Sequence, residues 1–296
     1  MFCPSPAFRY LCKEREERMK GIIKRINEAL SGCYTAGEIS ALTRIIATEL
    51  LGIPQMTFFL KDEVNLTAEQ DALLDNAIER LKKQEPIQYI LGYSDFCSLR
   101  FKITPATLIP RPETSELVEW IASEATGHES ILDIGTGSGC IAISLAHKMP
   151  QSKVTAWDIS PDALAVATEN SKANGCAVAF EEIDILAYEP TGEQFDIIVS
   201  NPPYIKENEK SAIHSNVLDW EPHTALFVPD NNPLLFYRTI AEKGMQILKP
   251  GGSLYFEINR AHGKETMEML ESLGYTSIEL RKDFAENDRM IRAIKN

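Results

Sequence analysis

The sequence predicts an α/β fold, a doubly wound sheet with helices on both faces, preceded by a small helical bundle. Three observations carry this. Beyond about residue 112, short apolar runs alternate with helical patterns, which is how strands and crossover helices of one sheet read in sequence. One such run, Ile131-Leu132-Asp133-Ile134, passes into the glycine turn Gly135-Thr136-Gly137-Ser138-Gly139 and then into the helical spacing Ile141, Leu145, Met149. Before about residue 84 the apolar positions recur instead at three and four, as on amphipathic helices.

Taken in order, residues 1–84 form a helical domain whose expected task is docking a partner. Thr35-Ala36-Gly37-Glu38 is a capping box that opens a helix with Ile39, Leu42, Ile45, Ile46 and Leu50 on one face, ended by Gly52 and Pro54. Thr67-Ala68-Glu69-Gln70 opens another, with the stripe Leu73, Leu74, Ala77, Ile78 and Leu81. Residues 85–110 are the linker. Within it Gln88 to Ile103, with Gly92 and the apolar positions Phe96, Leu99, Phe101 and Ile103, reads as a β-hairpin. Residues 111–296 hold the alternating part. Helices are expected at 112–125, 139–148 and 161–173, and strands at 131–135, 154–158, 179–183 and 195–200. Then come a connection over 205–232, a helix at 233–248, the turn Lys249-Pro250-Gly251-Gly252, a strand at 253–258, a helix at 261–273, and strands at 276–282 and 289–294. The alternation implies a parallel sheet that binds ligands at the carboxyl ends of its strands.

The 296 residues, 44% apolar, suffice for one substantial core and a second, smaller one. Charge divides unevenly. Residues 1–110 carry 14 Lys and Arg against 14 Asp and Glu, so the net −13 lies in residues 111–296, with 16 against 29. That balance disfavours direct capture of nucleic acid, which leans on Lys and Arg. Cysteines 3, 12, 33, 97, 140 and 176 show neither zinc-ligand spacing nor a disulfide framework, so reduced thiols and no metal are expected. No apolar run approaches a membrane span, and the amino end, with Arg9 and Lys13, lacks a signal-peptide core; a soluble cytoplasmic protein is expected.

Chemistry concentrates at the strand ends. The glycine turn lets a ligand approach the backbone beside a helix start, but its third glycine comes one residue early for a dinucleotide site. Asp133 would repel a pyrophosphate and suits a ligand carrying an ammonium and a sulfonium. Asp158, nineteen positions beyond Gly139 at the end of Val154-Thr155-Ala156-Trp157, can accept both hydroxyls of a ribose. The better helix cap is Ser160 before Pro161, which leaves Asp158 free. Asp184 reads as a surface loop acid or as an acceptor for an adenine amino group. Asn201-Pro202-Pro203-Tyr204 closes the run Phe195-Asp196-Ile197-Ile198-Val199-Ser200. Alone it also reads as a strand-ending turn. Its side-chain and backbone oxygens suit a clamp for a flat, conjugated NH2 group: the Asn201 oxygen and the Pro202 carbonyl take the two N–H bonds, and Tyr204 stacks on the plane.

Asp-x-Gly-x-Gly-x-Gly, a ribose acid and Asn-Pro-Pro-Tyr in that order resemble the Rossmann-like class I S-adenosylmethionine-dependent N-methyltransferases. Glu85-Pro86-Ile87-Gln88-Tyr89-Ile90-Leu91-Gly92 and Thr107-Leu108-Ile109-Pro110-Arg111-Pro112-Glu113-Thr114 narrow the resemblance to the protein-(glutamine-N5) methyltransferases of peptide chain release factors, the HemK/PrmC family. It covers nearly all of the chain from residue 85 and, more loosely, the helical part. It implies S-adenosylmethionine as cofactor, with Gly135, Thr136, Gly137, Ser138, Gly139, Asp158 and Asn201 lining its site and Asp133 and Asp184 beside them. It implies that Asn201 to Tyr204 bind the glutamine of the Gly-Gly-Gln loop of class I release factors. Asn201, Pro202 and Tyr204 would be catalytic, and a monomer is expected. The sequence departs from the family at Glu257-Ile258-Asn259, where glycine is usual third, and at Asn232-Pro233-Leu234, where Asp-Gly-Leu is usual; both are expected to lie away from the clamp. Two other readings stay open: an adenine-N6 nucleic-acid methyltransferase, since an exocyclic amine is also flat, and a cofactor-binding translation module without activity. In the 28-residue connection 205–232, Trp220-Glu221-Pro222-His223 reads as a pocket wall or an aromatic plug, and His223 is not assigned as a base.

Overall fold

The computed structural model describes residues 19–60, 64–192 and 194–296. Arg9, Lys13, Cys3 and Cys12 lie outside them, and with them the reading of the amino end. The chain divides between Leu91 and Gly92 into two compact units.

The first unit is helical. Helix α1 covers 19–30, and α2, Ala36–Ile45, opens on the expected capping box: Thr35 N donates to Glu38 Oε2 at 2.7 Å and Glu38 N to Thr35 Oγ1 at 3.4 Å. At Ile46 the helix widens into a π turn, Ile46–Leu50, with Leu51 N reaching back five residues to Ile46 O. The extra residue rotates the face. Ile46 and Ala47 are buried, while Ile45 and Leu50 sit at the edge of the face they were expected to share. Helix α3 is Gln55–Leu60, and α4, Ala68–Lys82, has the second capping box at Thr67 and Gln70. Its buried stripe is Leu74, Ala77, Ile78 and Leu81; Leu73, expected in it, is 41% exposed. Residues 87–91 form a short helix, α5 (Ile87–Leu91), where the hairpin was expected to begin. Pro86 presets the first turn and its carbonyl accepts from Tyr89 N and Ile90 N.

The second unit opens with the hairpin, β1 (Tyr93–Phe96) and β2 (Leu99–Lys102). Cys97 and Ser98 both take positive φ, as a two-residue mirror-image turn requires. The buried Asn170 side chain bonds both the N–H and the carbonyl of Lys102, at 2.7 and 2.9 Å, and so fixes the hairpin on a helix of the sheet domain. Then follow α6 (Pro112–Glu124), β3 (Ser130–Ile134), α7 (Cys140–Lys148), β4 (Lys153–Asp158), α8 (Pro161–Ala173), β5 (Val178–Glu182) and β6 (Phe195–Ser200). After the short pieces β7 (Ile205–Lys206), α9 (Ser215–Leu218) and β8 (Phe227–Val228) come α10 (Leu235–Ile247), β9 (Leu248–Glu257), α11 (Gly263–Ser272), β10 (Tyr275–Lys282) and β11 (Asp288–Lys295).

Seven strands form one sheet in the order β10-β11-β9-β6-β3-β4-β5. The pairings from β5 to β9 are parallel, but β11 runs antiparallel to both neighbours, which corrects the all-parallel expectation. The connection 283–287 is too short for a crossover, so the chain can only turn back. The expected turn at Lys249-Pro250-Gly251-Gly252 is an excursion inside β9, whose pairing with β6 jumps from Leu248 to Ser253. Alternate residues feed two cores. Ile131, Ile197 and Val199 face α6 and α7, while Leu132, Ile198, Leu254 and Phe256 face α10 and α11. Strands buried on both faces read as continuous apolar runs, as β3 and β6 do. From β3 the chain first builds outward to β4 and β5, then returns to β6 on the other side. This switch opens a crevice over the carboxyl ends of β3, β4 and β6. Among the described residues no helix is long and apolar enough to cross a membrane.

Candidate functional site

A cavity of about 400 Å³ lies in that crevice, lined by the glycine turn, by the ends of β4, β5 and β6, by residues 106–111 and by part of the loop before β8. The size is that of a small-molecule site. Gly135 N and Thr136 N donate to Trp157 O at 2.8 and 3.0 Å, which binds the turn to β4. Gly135 and Gly137 take φ of +76° and +56°, and a Cβ on either would meet nothing within 4 Å. Both line the cavity, so their bareness leaves backbone open to a ligand. Thr136 and Ser138 line it too. Gly139, expected with them, does not: its Cβ would stand 2.8 Å from Ile143 and 3.2 Å from Ala167, so it serves the close packing of α7 on α8.

Asp133 is also not part of the wall. It is fully buried beneath the turn, where Oδ2 accepts from Thr136 Oγ1 at 2.6 Å and from Ala142 N at 3.2 Å. Its Oδ1 has no partner among the described residues. Burial pushes this carboxyl up to about 7 despite the two donors. Asp158 stands at the cavity, with Oδ2 accepting from Gly137 N at 2.8 Å and Oδ1 from Ser160 N at 2.9 Å. Burial raises its pKa against these donors. Ser160 caps α8 by accepting from Ala163 N, as expected. Asp184 lines the cavity and accepts from Leu186 N at 2.9 Å. Between the two acids Ile159 and Leu186 stay 58% and 43% exposed, a pair of apolar side chains that would cover a flat ring.

Asn201, Pro202 and Pro203 form the wall beyond β6, fastened by Ser200 Oγ donating to Ile134 O at 2.6 Å. The Pro202 carbonyl accepts no hydrogen bond from any described residue. Tyr204, expected to stack on the substrate, turns the other way. It packs on the α10–α11 core, and its hydroxyl donates to Glu257 Oε1 at 3.4 Å. Asn259 Nδ2 holds its carbonyl at 3.1 Å. Glu257, buried at the end of β9, also accepts from Thr114 Oγ1 at 2.6 Å, and Asn201 Nδ2 donates to the same Thr114 oxygen at 3.4 Å. Burial raises the Glu257 pKa; the Thr114 bond and the nearby Arg289 oppose that.

The rest of the wall is joined by an acid. Glu221, buried, accepts from Ile109 N at 3.2 Å and from Arg111 Nη2 at 2.5 Å, tying residues 109–111 to the loop 205–232. Pro222, Thr224, Ala225 and Phe227 of that loop line the cavity; Trp220 and His223 do not, and His223 Nε2 bonds Leu218 O at 2.8 Å. The loop carries β7, β8 and α9 of its own. Sequence reasoning missed Thr114 as part of the site, named Glu221 only within a pocket wall and not as its anchor, and placed Glu257 away from the clamp, whereas it bonds Thr114 and Tyr204. The available signal was a lone acid closing the apolar run Leu254-Tyr255-Phe256. Cys140 also lines the cavity, and burial pushes its thiol up to about 12. Among the described residues no cluster of His, Cys, Asp and Glu is arranged to hold a metal ion.

The donor set fits a cationic nucleoside: two acids, one with an orphaned oxygen below the turn and one on the wall at the end of the neighbouring strand β4, a bare backbone, and an apolar cover. Comparison with known proteins agrees. Residues 113–220 match the family model described as methyltransferase small domain, and residues 21–92 match that of the PrmC N-terminal domain. The chain is 46% identical over 276 residues to a release factor glutamine methyltransferase of Bacteroides thetaiotaomicron, covering 93% of this chain and 99% of the relative. It is 47% identical over 270 residues to the protein of the same name from Flavobacterium psychrophilum, covering 90% and 95%. A methyltransferase of Pyrococcus furiosus shares the fold, with a TM-score of 0.52 at 20% identity over 75% of this chain and 99% of that one.

Proposed function

The chain belongs to the release factor glutamine methyltransferases, and from that premise we propose that it methylates the side-chain amide nitrogen (N5) of the glutamine in the Gly-Gly-Gln loop of class I release factors. The cofactor is S-adenosylmethionine, which supplies an electrophilic methyl group on a sulfonium. Gly135 to Ser138 receive its amino-acid end over Asp133, whose unpartnered Oδ1 favours a positive charge nearby. Asp158 accepts the ribose hydroxyls, and Ile159, Asp184 and Leu186 hold the adenine. Asn201 Oδ1 and the Pro202 carbonyl accept the two N–H bonds of the substrate amide. They draw electron density onto a nitrogen that is otherwise conjugated, and they hold its surplus proton until it leaves to solvent. Positioning the amide in line supplies on the order of 7–11 kcal/mol in well-oriented systems. Tyr204 acts beneath the clamp rather than on the substrate.

The observation that carries the reading is one cavity wall shared by Asp158, Gly135 to Gly137, Asn201 and Pro202. The decisive experiment incubates the protein with a purified release factor and labelled S-adenosylmethionine, then maps the label by mass spectrometry. One methyl on the loop glutamine is expected; label elsewhere in the factor, or in DNA supplied instead, overturns the proposal. The excess of acids over residues 111–296 supports action without direct nucleic-acid contact. We read the enzyme as a cytoplasmic monomer, which gel filtration and light scattering check.

A further inference from the structure

An asparagine amide presents two ends of nearly equal shape, and the clamp works with only one of them. With Oδ1 facing the substrate NH2, Asn201 accepts a hydrogen bond; rotated by half a turn, it sets NH2 against NH2. We propose that Thr114, on the cavity wall, and the buried Glu257 behind it are positioning residues that decide this orientation, and so determine turnover through Asn201.

The bonds that decide it converge from three elements. Asn201 follows β6, and Glu257 ends the neighbouring strand β9, where the pairing of Ser200 with Phe256 brings the next residue of each strand side by side. Thr114 lies in the first turn of α6, its backbone N held by Arg111 O. The Thr114 hydroxyl has a single hydrogen, which goes to the buried Glu257 carboxylate at 2.6 Å. Its oxygen is then an acceptor only. The Asn201 Nδ2 at 3.4 Å meets that acceptor, and Oδ1 is left for the cavity. The flipped amide would oppose two lone pairs across the same gap. Glu257 is held in its turn by the Tyr204 hydroxyl at 3.4 Å, and Arg289, which lies near it, is anchored by Asp283 at 3.0 Å. The acid therefore acts at a distance, through one hydroxyl.

The inference rests on the amide-methylating reading, and the experiment separates the two. Wild-type protein, Thr114→Val, Thr114→Ser and Glu257→Leu are compared for kcat and KM with release factor, for the Kd of S-adenosylhomocysteine by calorimetry, and for melting temperature. Thr114→Val keeps the shape and loses the hydroxyl. It is expected to lower kcat by about 30-fold or more while the Kd moves by less than about threefold, and Thr114→Ser is expected to restore kcat to within about threefold. Glu257→Leu frees the hydroxyl to donate to Oδ1 and is expected to lower kcat comparably, with the Thr114→Val/Glu257→Leu double variant no worse than either alone. Full kcat in Thr114→Val overturns the proposal, as does parallel loss of kcat and cofactor affinity, the mark of a structural role. If Thr114→Val does not fold, Thr114→Ala replaces it under the same criteria. A wild-type protein that leaves glutamine unmethylated sinks the underlying reading instead.

Discussion

Asn201 carries the largest single expectation. In the proposed clamp its side-chain oxygen would accept from a nitrogen that gains positive charge only as the reaction proceeds, so the bond would strengthen toward the transition state and belong to kcat. Asn201→Ala is expected to reduce kcat by about 10²–10³, the range for losing one such partner, with a small change in S-adenosylhomocysteine affinity measured by calorimetry. Equal loss in both would make Asn201 a shaper of the cofactor pocket only. Asp133 makes a different statement, about stability. Its carboxyl is pushed up to about 7 in the folded protein, against an unfolded value near 3.8. A raised acid pKa means the folded state holds its proton longer than the unfolded one. The stabilisation is therefore fully present below about pH 4 and is lost as pH rises through about 7. Melting curves of ligand-free wild type and Asp133→Asn are expected to differ little near pH 4 and to diverge in favour of the variant toward pH 8. A difference independent of pH would mean that the buried group does not titrate there.

Elements show where the sequence was legible and where it was not. Both capping boxes, the glycine turn and the Ser160 cap were readable because each is a bargain among residues three or four apart. Directions and partners across the chain were not. Nothing in the pattern of 289–294 announces an antiparallel strand; only the shortness of 283–287 does. The π turn at Ile46 moves a face by one residue without changing the composition of the helix. Likewise the ends of the clamp were visible as Asn-Pro-Pro, but its support from Thr114 and Glu257 spans 87 and 143 residues of sequence, and the Arg111–Glu221 pair spans 110. That last pair gives the element-scale prediction. Glu221→Ala strands the Ile109 N–H and the Arg111 guanidinium together, so segment 107–111 and the loop Pro222–Phe227 lose their common anchor. Hydrogen exchange at residues 107–111 is expected to accelerate by about tenfold or more, and KM for the release factor to rise with it. Unchanged exchange would show that apolar packing alone holds the wall.

Across the whole molecule, chemistry and charge are segregated: every cavity residue falls in the unit from Gly92 onward, and the acid excess falls almost entirely with it. The sequence reading set its boundaries differently, at residues 84 and 110 with a linker between, and began its hairpin at Gln88, inside what is α5. A ligand that binds the folded cavity and not the unfolded chain stabilises by mass action, about 2.7 kcal/mol at a hundred times its Kd. S-adenosylhomocysteine at that excess is accordingly expected to slow hydrogen exchange most at Gly135 to Gly137, Asp158, Asp184 and the residues flanking Asn201. Amides of α1 and α2, in the other unit, are expected to change little. Because the readout is local, it tests the cavity and the division between units at once. Protection confined to those amides supports both. Protection spread evenly over α1 to α4 as well would mean that the chain opens as a single cooperative body, and protection absent from the glycine turn would remove the nucleoside from this cavity.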